Sequence, residues 1–171
     1  KARALALDYT PAGFEQGIEL ARRAIDLDSN YAVAHRVLAP PLVERLINGA
    51  SAAPNDEASA LAAAATALSL APQDPLLLKM VSLVFAYCGD ARKAISCLRK
   101  AVRYAPFDFG AWGYMGWPLT STGEPKDLEE LRAILDRLLT VVPQHPGASF
   151  WHYHKSVAET CAGDFARARE S

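Results

Sequence analysis

No stretch of this sequence alternates polar and apolar residues at a period of two, so nothing supports a half-buried strand, and the apolar patterns read as helical. Long hydrophobic runs are missing too. The longest, Leu76 to Cys88, is interrupted by Lys79 and is too short to span a bilayer. Nor does either sign of charge dominate. Against 18 Lys and Arg stand 19 Asp and Glu, a net charge of -1, and the basic field that marks a nucleic-acid binder is absent. Only three cysteines occur, Cys88, Cys97 and Cys161, without paired or metal-ligand spacing. That pattern fits a reducing compartment, and a cytoplasmic location is expected.

Chemistry-bearing constellations are equally scarce. No nucleophile with a base, no paired carboxylates and no phosphate-binding loop can be found, so an enzyme is not expected and no cofactor or metal is implied. Asp108-Phe109-Gly110 spells the metal-binding triplet of protein kinases, but the glycine loop, pairing lysine and catalytic loop that give the triplet meaning do not accompany it. It is read as a turn between helices. His152 and His154 lie near Cys161, yet residues two apart on a helix point to different faces, unlike the i, i+4 pair of a zinc site. Cys88 and Cys161, each just before a turn glycine, are expected to be small buried residues.

What the chain does have is a repeat. Pro72, Leu78, Ser82, Phe85 and Gly89 return 34 residues later as Pro106, Trp112, Gly116, Leu119 and Gly123, and Ala60 and Ala67 return as Ala94 and Ala101. A helix-turn-helix unit of this period resembles the tetratricopeptide (TPR) family, in which helix A carries apolar, small and bulky residues at positions 4, 8 and 11, helix B carries small residues at 20 and 27, and proline closes the unit at 32. Residues 75-108 fit that frame through Leu78, Ser82, Phe85, Ala94, Ala101 and Pro106. The resemblance implies an all-α fold, an alpha-alpha superhelix of antiparallel helix pairs, arranged as one array over 1-171. Its units are 1-31 (partial), 32-74, 75-108, 109-145 and 149-171 (partial), and the broken ends suggest a piece of a longer chain.

The departures have physical readings. Residues 14-29 form a helix B with Gly17 and Ala24 at the small positions, after a truncated helix containing Ala4 to Leu7. The unit 32-74 is longer than the consensus, with its extra residues in 48-56. The small residues Ala60, Ala67, Ala94 and Ala101 let neighbouring backbones approach. Gly89 and Gly163 can take the left-handed conformation that ends a helix, with Asp90 and Asp164 as caps for the next; Asp74-Pro75 reads as a cap followed by proline at the first helical position. Pro40, Pro41 and Pro118 fall inside a helix A, where each removes a hydrogen bond and pushes on a carbonyl four residues back, that of Val37 for Pro41 and of Tyr114 for Pro118. Those helices should kink or stop early.

Function is expected in the groove. In this family helix-A positions 2, 5, 9, 12 and 13 line the concave surface, which here implies a peptide-binding site containing Arg36, Lys79, Leu83, Tyr87 and Trp117, with Tyr114, Phe150 and Tyr153 close by. Aromatics with a cation at the edge suit an extended peptide or amphipathic helix. The family's clamp for a chaperone's C-terminal carboxylates needs asparagine at position 9, where this chain has Pro40, Leu83 and Trp117, so that ligand is not carried over. A protein-interaction scaffold, with no nucleic-acid or membrane partner and with self-association through open array ends, is the leading expectation. The alternative is a regulatory segment, since Thr10-Pro11 and the 27-32 link resemble TPR tails of bacterial nucleotide cyclases and transcriptional regulators. Arg92, Lys93, Arg99, Lys100 and Arg103 form a basic face, and Asp127, Glu129, Glu130 and Asp136 an acidic rim; both are expected to be solvated outer faces.

Overall fold

A computed structural model describes residues 10–48 and 53–163, and no strand occurs among them. The chain divides at Asp90 and Ala91 into two compact units. This boundary falls between the two helices of the 75-108 repeat, so periodicity and compactness divide the chain at different places.

The first unit holds α1 (Pro11–Leu27), α2 (Ala32–Asn48), α3 (Asp56–Leu70) and α4 (Pro75–Tyr87). Two of its helices start at a side-chain cap followed by proline, the second of them as the sequence indicates. Thr10 Oγ1 accepts from Gly13 N–H at 3.0 Å ahead of Pro11, and Asp74 Oδ1 accepts from Leu76 and Leu77 N–H at 2.9 and 3.0 Å ahead of Pro75. α2 is the central element, packed on α1, α3 and α4, while α3 also meets α4. The seam is built from Ile18, Leu38, Ala39, Leu42, Ala60, Ala64, Ala67, Leu78, Val81 and Phe85, all buried. At the end of α4, Gly89 has φ +85°, and Asp90 N–H donates to the Phe85 carbonyl at 2.8 Å. This closes the exposed carbonyls of the last turn.

The second unit holds α5 (Ala91–Tyr104), α6 (Phe109–Gly113), α7 (Gly116–Thr122), α8 (Pro125–Val141) and α9 (Ala148–Cys161). α7 packs on α5, α8 and α9; α6 packs on α5 and α8; α8 and α9 pack together. Asp108 caps α6, its carboxylate accepting from Ala111 N–H at 3.1 Å, so the Asp108-Phe109-Gly110 triplet is a helix start. Ala94 and Ala101, like Ala60 and Ala67 in the first unit, have no exposed surface.

The prolines behave in two ways. Pro40 and Pro41 lie inside α2, which runs on to Asn48, so the expected early stop does not occur. Each interior proline costs about 3 kcal/mol of helix stability. The buried face of Ala34, Leu38, Ala39, Leu42 and Val43 outweighs this, since packing of an apolar face supplies most helical stability in a folded protein. Pro118, by contrast, accompanies a real interruption. Helix A of that unit breaks at Tyr114 and Met115, and the chain resumes as α7 with Pro118 in its first turn, where the absent N–H leaves no bond unmade. Of the expected turns, 48-56 lies partly outside the described residues, and the helix at Ala4 to Leu7 and the Asp164 cap lie wholly outside them. Gly163 has φ +79°, as its turn requires.

Candidate interaction surfaces

Lys79, Leu83 and Tyr87 recur every four residues on α4 and so share one face of the first unit. Lys79 and Leu83 are half-buried and Tyr87 is exposed. Burial, followed by the charge of Glu44 on α2, pushes the Tyr87 phenol above its ordinary pKa. Arg36 does not join this face as an edge cation, because its side chain is buried within the unit at 8% exposure. That burial depends on how α2 packs against its neighbours, which a repeat-position count cannot reveal.

The second unit displays a more developed surface. Trp117 on α7, with Phe150 and Tyr153 on α9, is 42, 44 and 57% exposed. All three rings pack edge-on around one imidazole, His154, with centroid separations of 6.5, 4.3 and 5.1 Å. His154 itself is 2% exposed, and neither ring nitrogen has a hydrogen-bond partner. Burial holds its pKa down at about 4, so the ring is neutral at physiological pH. Tyr114 stands at the break between α6 and α7, half-buried. The sequence-derived aromatics of this unit are thus partly gathered: Trp117 and Tyr153 meet through His154.

Two glycines make that surface possible. A Cβ on Gly113 would overlap Trp151 Nε1, and one on Gly116 would lie 2.7 Å from His154 Cγ and Cδ2. The hollows of α6 and α7 therefore receive Trp151 and His154 of α9 as knobs, and this seats the whole aromatic cluster. Trp151 is further held by His145, stacked on it at 4.6 Å.

A second concavity escaped the repeat frame. It has a volume of about 750 Å³ and lies between the segment Pro106–Trp112 and one face of α8, walled by Phe107, Trp112, Ile134, Leu138 and Val141. Its only sequence signal was Phe107 and Val141 at positions outside the buried periodicity, where they are 84 and 57% exposed.

The outer charges are less free than solvated faces would be. Arg92 pairs with Glu124 and, at 2.9 Å, with Asp127, while Arg99 pairs with Glu130 at 2.6 Å. Hydrogen bonds to Glu124 and the nearby charges raise the Arg92 pKa still further, and Lys126 and Arg92 hold the Glu124 carboxyl below its usual range. The basic face of α5 and the acidic rim of α8 therefore partly neutralise each other. In the first unit Arg45 bridges Glu15 at 2.8 Å and the buried Asp56. Burial alone would raise the Asp56 carboxyl, but hydrogen bonds from Arg45 and Ala53 N–H, with the charges of Arg45 and Arg22, outweigh it and lower the pKa.

The cysteines differ from expectation: Cys161 is exposed and Cys88 half-buried, and Cys97 is the buried one, because Cys97 faces inward on the strongly amphipathic α5 whereas Cys161 ends α9. Burial and the charge of Glu57 raise the Cys88 thiol, making it less reactive. Among the described residues no group of histidine, cysteine and carboxylate side chains could hold a metal ion, and no helix is long and apolar enough to cross a membrane. No protein-family model matches the chain, and no curated protein aligns with it significantly.

Proposed function

We propose that this chain is a non-catalytic protein-interaction scaffold of the TPR type, holding a peptide or protein segment on exposed faces of its A helices. The observation that carries this reading is the trio Trp117, Phe150 and Tyr153, large aromatic rings left partly in water and fixed from beneath by a fully enclosed His154. Rings that are rigid before binding lose little conformational freedom on binding, which is why such residues dominate interface energetics. Two further features support it. α7 and α9 are consecutive A helices of the repeat frame, as are α2 and α4, and each pair packs together within its own unit. On α4, Lys79, Leu83 and Tyr87 offer a mixture of cation, aliphatic and aromatic groups to an extended ligand.

The test is selection from a random peptide library on the immobilised chain, followed by titration of the enriched peptides. Aromatic or aliphatic anchors should be enriched, and Trp117→Ala and Tyr153→Ala should each weaken binding by about 1 kcal/mol or more. Lys79→Glu should selectively weaken acidic peptides, with a loss that shrinks as salt is added. Enriched peptides that bind all three variants as tightly as the parent would overturn the assignment.

A further inference from the structure

The concavity between Pro106–Trp112 and α8 is a ligand site of a different kind from the aromatic surface. Its volume of about 750 Å³ lies within the range of small-molecule pockets. Its walls offer almost no hydrogen-bonding group: the one indole N–H available, that of Trp112, already donates to the Pro106 carbonyl at 3.0 Å. A peptide laid there would leave backbone N–H and C=O groups unsatisfied, at substantial cost, whereas a hydrocarbon chain requires no partners. The apolar lips, Phe107 and Val141, stand mostly in water and gain by being covered.

Charge at the rim specifies the rest of the ligand. Two ionic side chains border the cavity, Glu130 and Arg137. Glu130 is engaged by Arg99 at 2.6 Å, while Arg137 has no carboxylate partner among the described residues. The cavity thus presents one unanswered positive charge beside an apolar trough. We infer that this groove binds a medium-chain fatty acid, its alkyl chain lying along Trp112, Ile134 and Val141 and its carboxylate paired with the Arg137 guanidinium. A planar, permanently charged fork suits a carboxylate, and a single cation suits a single anion.

The experiment is isothermal titration of the whole chain with decanoate, below the concentration at which it forms micelles, alongside decanol as an uncharged chain of equal length. Decanoate should bind saturably at one site, and decanol about fivefold more weakly for want of the charge-assisted hydrogen bond. Arg137→Gln should erase the difference between the two. Ala133 lines the cavity from an exposed position on α8, so Ala133→Trp should fill the trough and abolish both, while leaving the thermal melt in place. If Ala133→Trp disturbs folding, the Arg137→Gln comparison decides alone, because that side chain is exposed and makes no ion pair among the described residues. The proposal is overturned if decanoate shows no saturable binding, if decanol binds as well as decanoate to the parent, or if Ala133→Trp folds and leaves decanoate affinity unchanged.

Discussion

In the first unit, helices of 17, 17, 15 and 13 residues meet across alanines, and an ion-pair knot forms where Arg45 stands between Glu15 and the buried Asp56. In the second, what the repeat frame draws as one helix is two pieces of 5 and 7 residues; Trp151 and His154 fill hollows left by Gly113 and Gly116; and ion pairs are spread along α5, α8 and α9. Close approach of helices can be reached with small residues on both sides, which gives a smooth seam, or with glycine facing a bulky ring, which gives an interlock. The second solution leaves neighbouring aromatics standing at the surface. The richer aromatic surface of the second unit is therefore a consequence of how its helices pack.

The comparison is most sharply tested at its strongest points. Replacing Arg45 by Met leaves Asp56 buried without its cation, and urea unfolding should show a loss of about 3 kcal/mol. Because the Asp56 pKa is lowered in the fold, its contribution is present above the ordinary carboxylate range and should fade as pH falls through and below that range. A loss under about 1 kcal/mol for Arg45→Met would show that the knot is not what ties α1, α2 and α3 together.

Next come the hollows. At an uncrowded helical position, exchanging glycine for alanine stabilises by up to about 1 kcal/mol. Gly113→Ala and Gly116→Ala should instead destabilise by about 2–3 kcal/mol through overpacking. In the alanine seams, Ala67→Leu and Ala101→Leu should cost about 1–3 kcal/mol for the same reason. If the glycine variants are neutral while the leucine variants are not, the interlock is wrong and the seam description extends to both units.

His154 adds a pH dependence carried by the second unit. Its folded pKa of about 4 lies below the ordinary value of 6.5, so the stability of the neutral, buried ring is fully present above that ordinary value. It is lost progressively as pH falls toward 4, with no further loss from this group below. The decline should be on the order of 2 kcal/mol and should vanish in His154→Phe, which keeps a ring against Gly116. A parent and variant with parallel stability curves between those pH values would count against it. The smallest effect belongs to the exposed pair: Arg99→Ala should cost no more than about 0.5 kcal/mol at moderate salt, measured by the same unfolding curves.

Much of this molecule can be read from its sequence, and the reason is local. Asp74 caps a helix because a short polar side chain can reach amides two or three residues ahead, and Gly89 and Gly163 end helices because φ is positive there. Ala60, Ala67, Ala94 and Ala101 are buried because their spacing returns one small residue to the same side of each B helix. Trp117, placed on the groove by the family frame, and Tyr153, expected close by, are exposed aromatics of the second unit. Where Pro40 and Pro41 fail to stop α2, or Arg36 turns inward, the local rule is overridden by the burial of a whole helix face, which no count of neighbours along the chain contains.

The amino-acid order alone thus determined helices over the described residues and their close-packing alanines, since caps, left-handed glycines and apolar spacing act over a few residues at a time. Only the tertiary structure decided that helix A of the 109-145 unit breaks in two, that Trp151 and His154 enter the glycine hollows, that α5 and α8 partly neutralise each other's charges, and that an apolar trough opens beside Arg137. Each of these depends on which atoms of distant segments come within a few ångströms of one another, and that is settled by packing volume and charge pairing across helices.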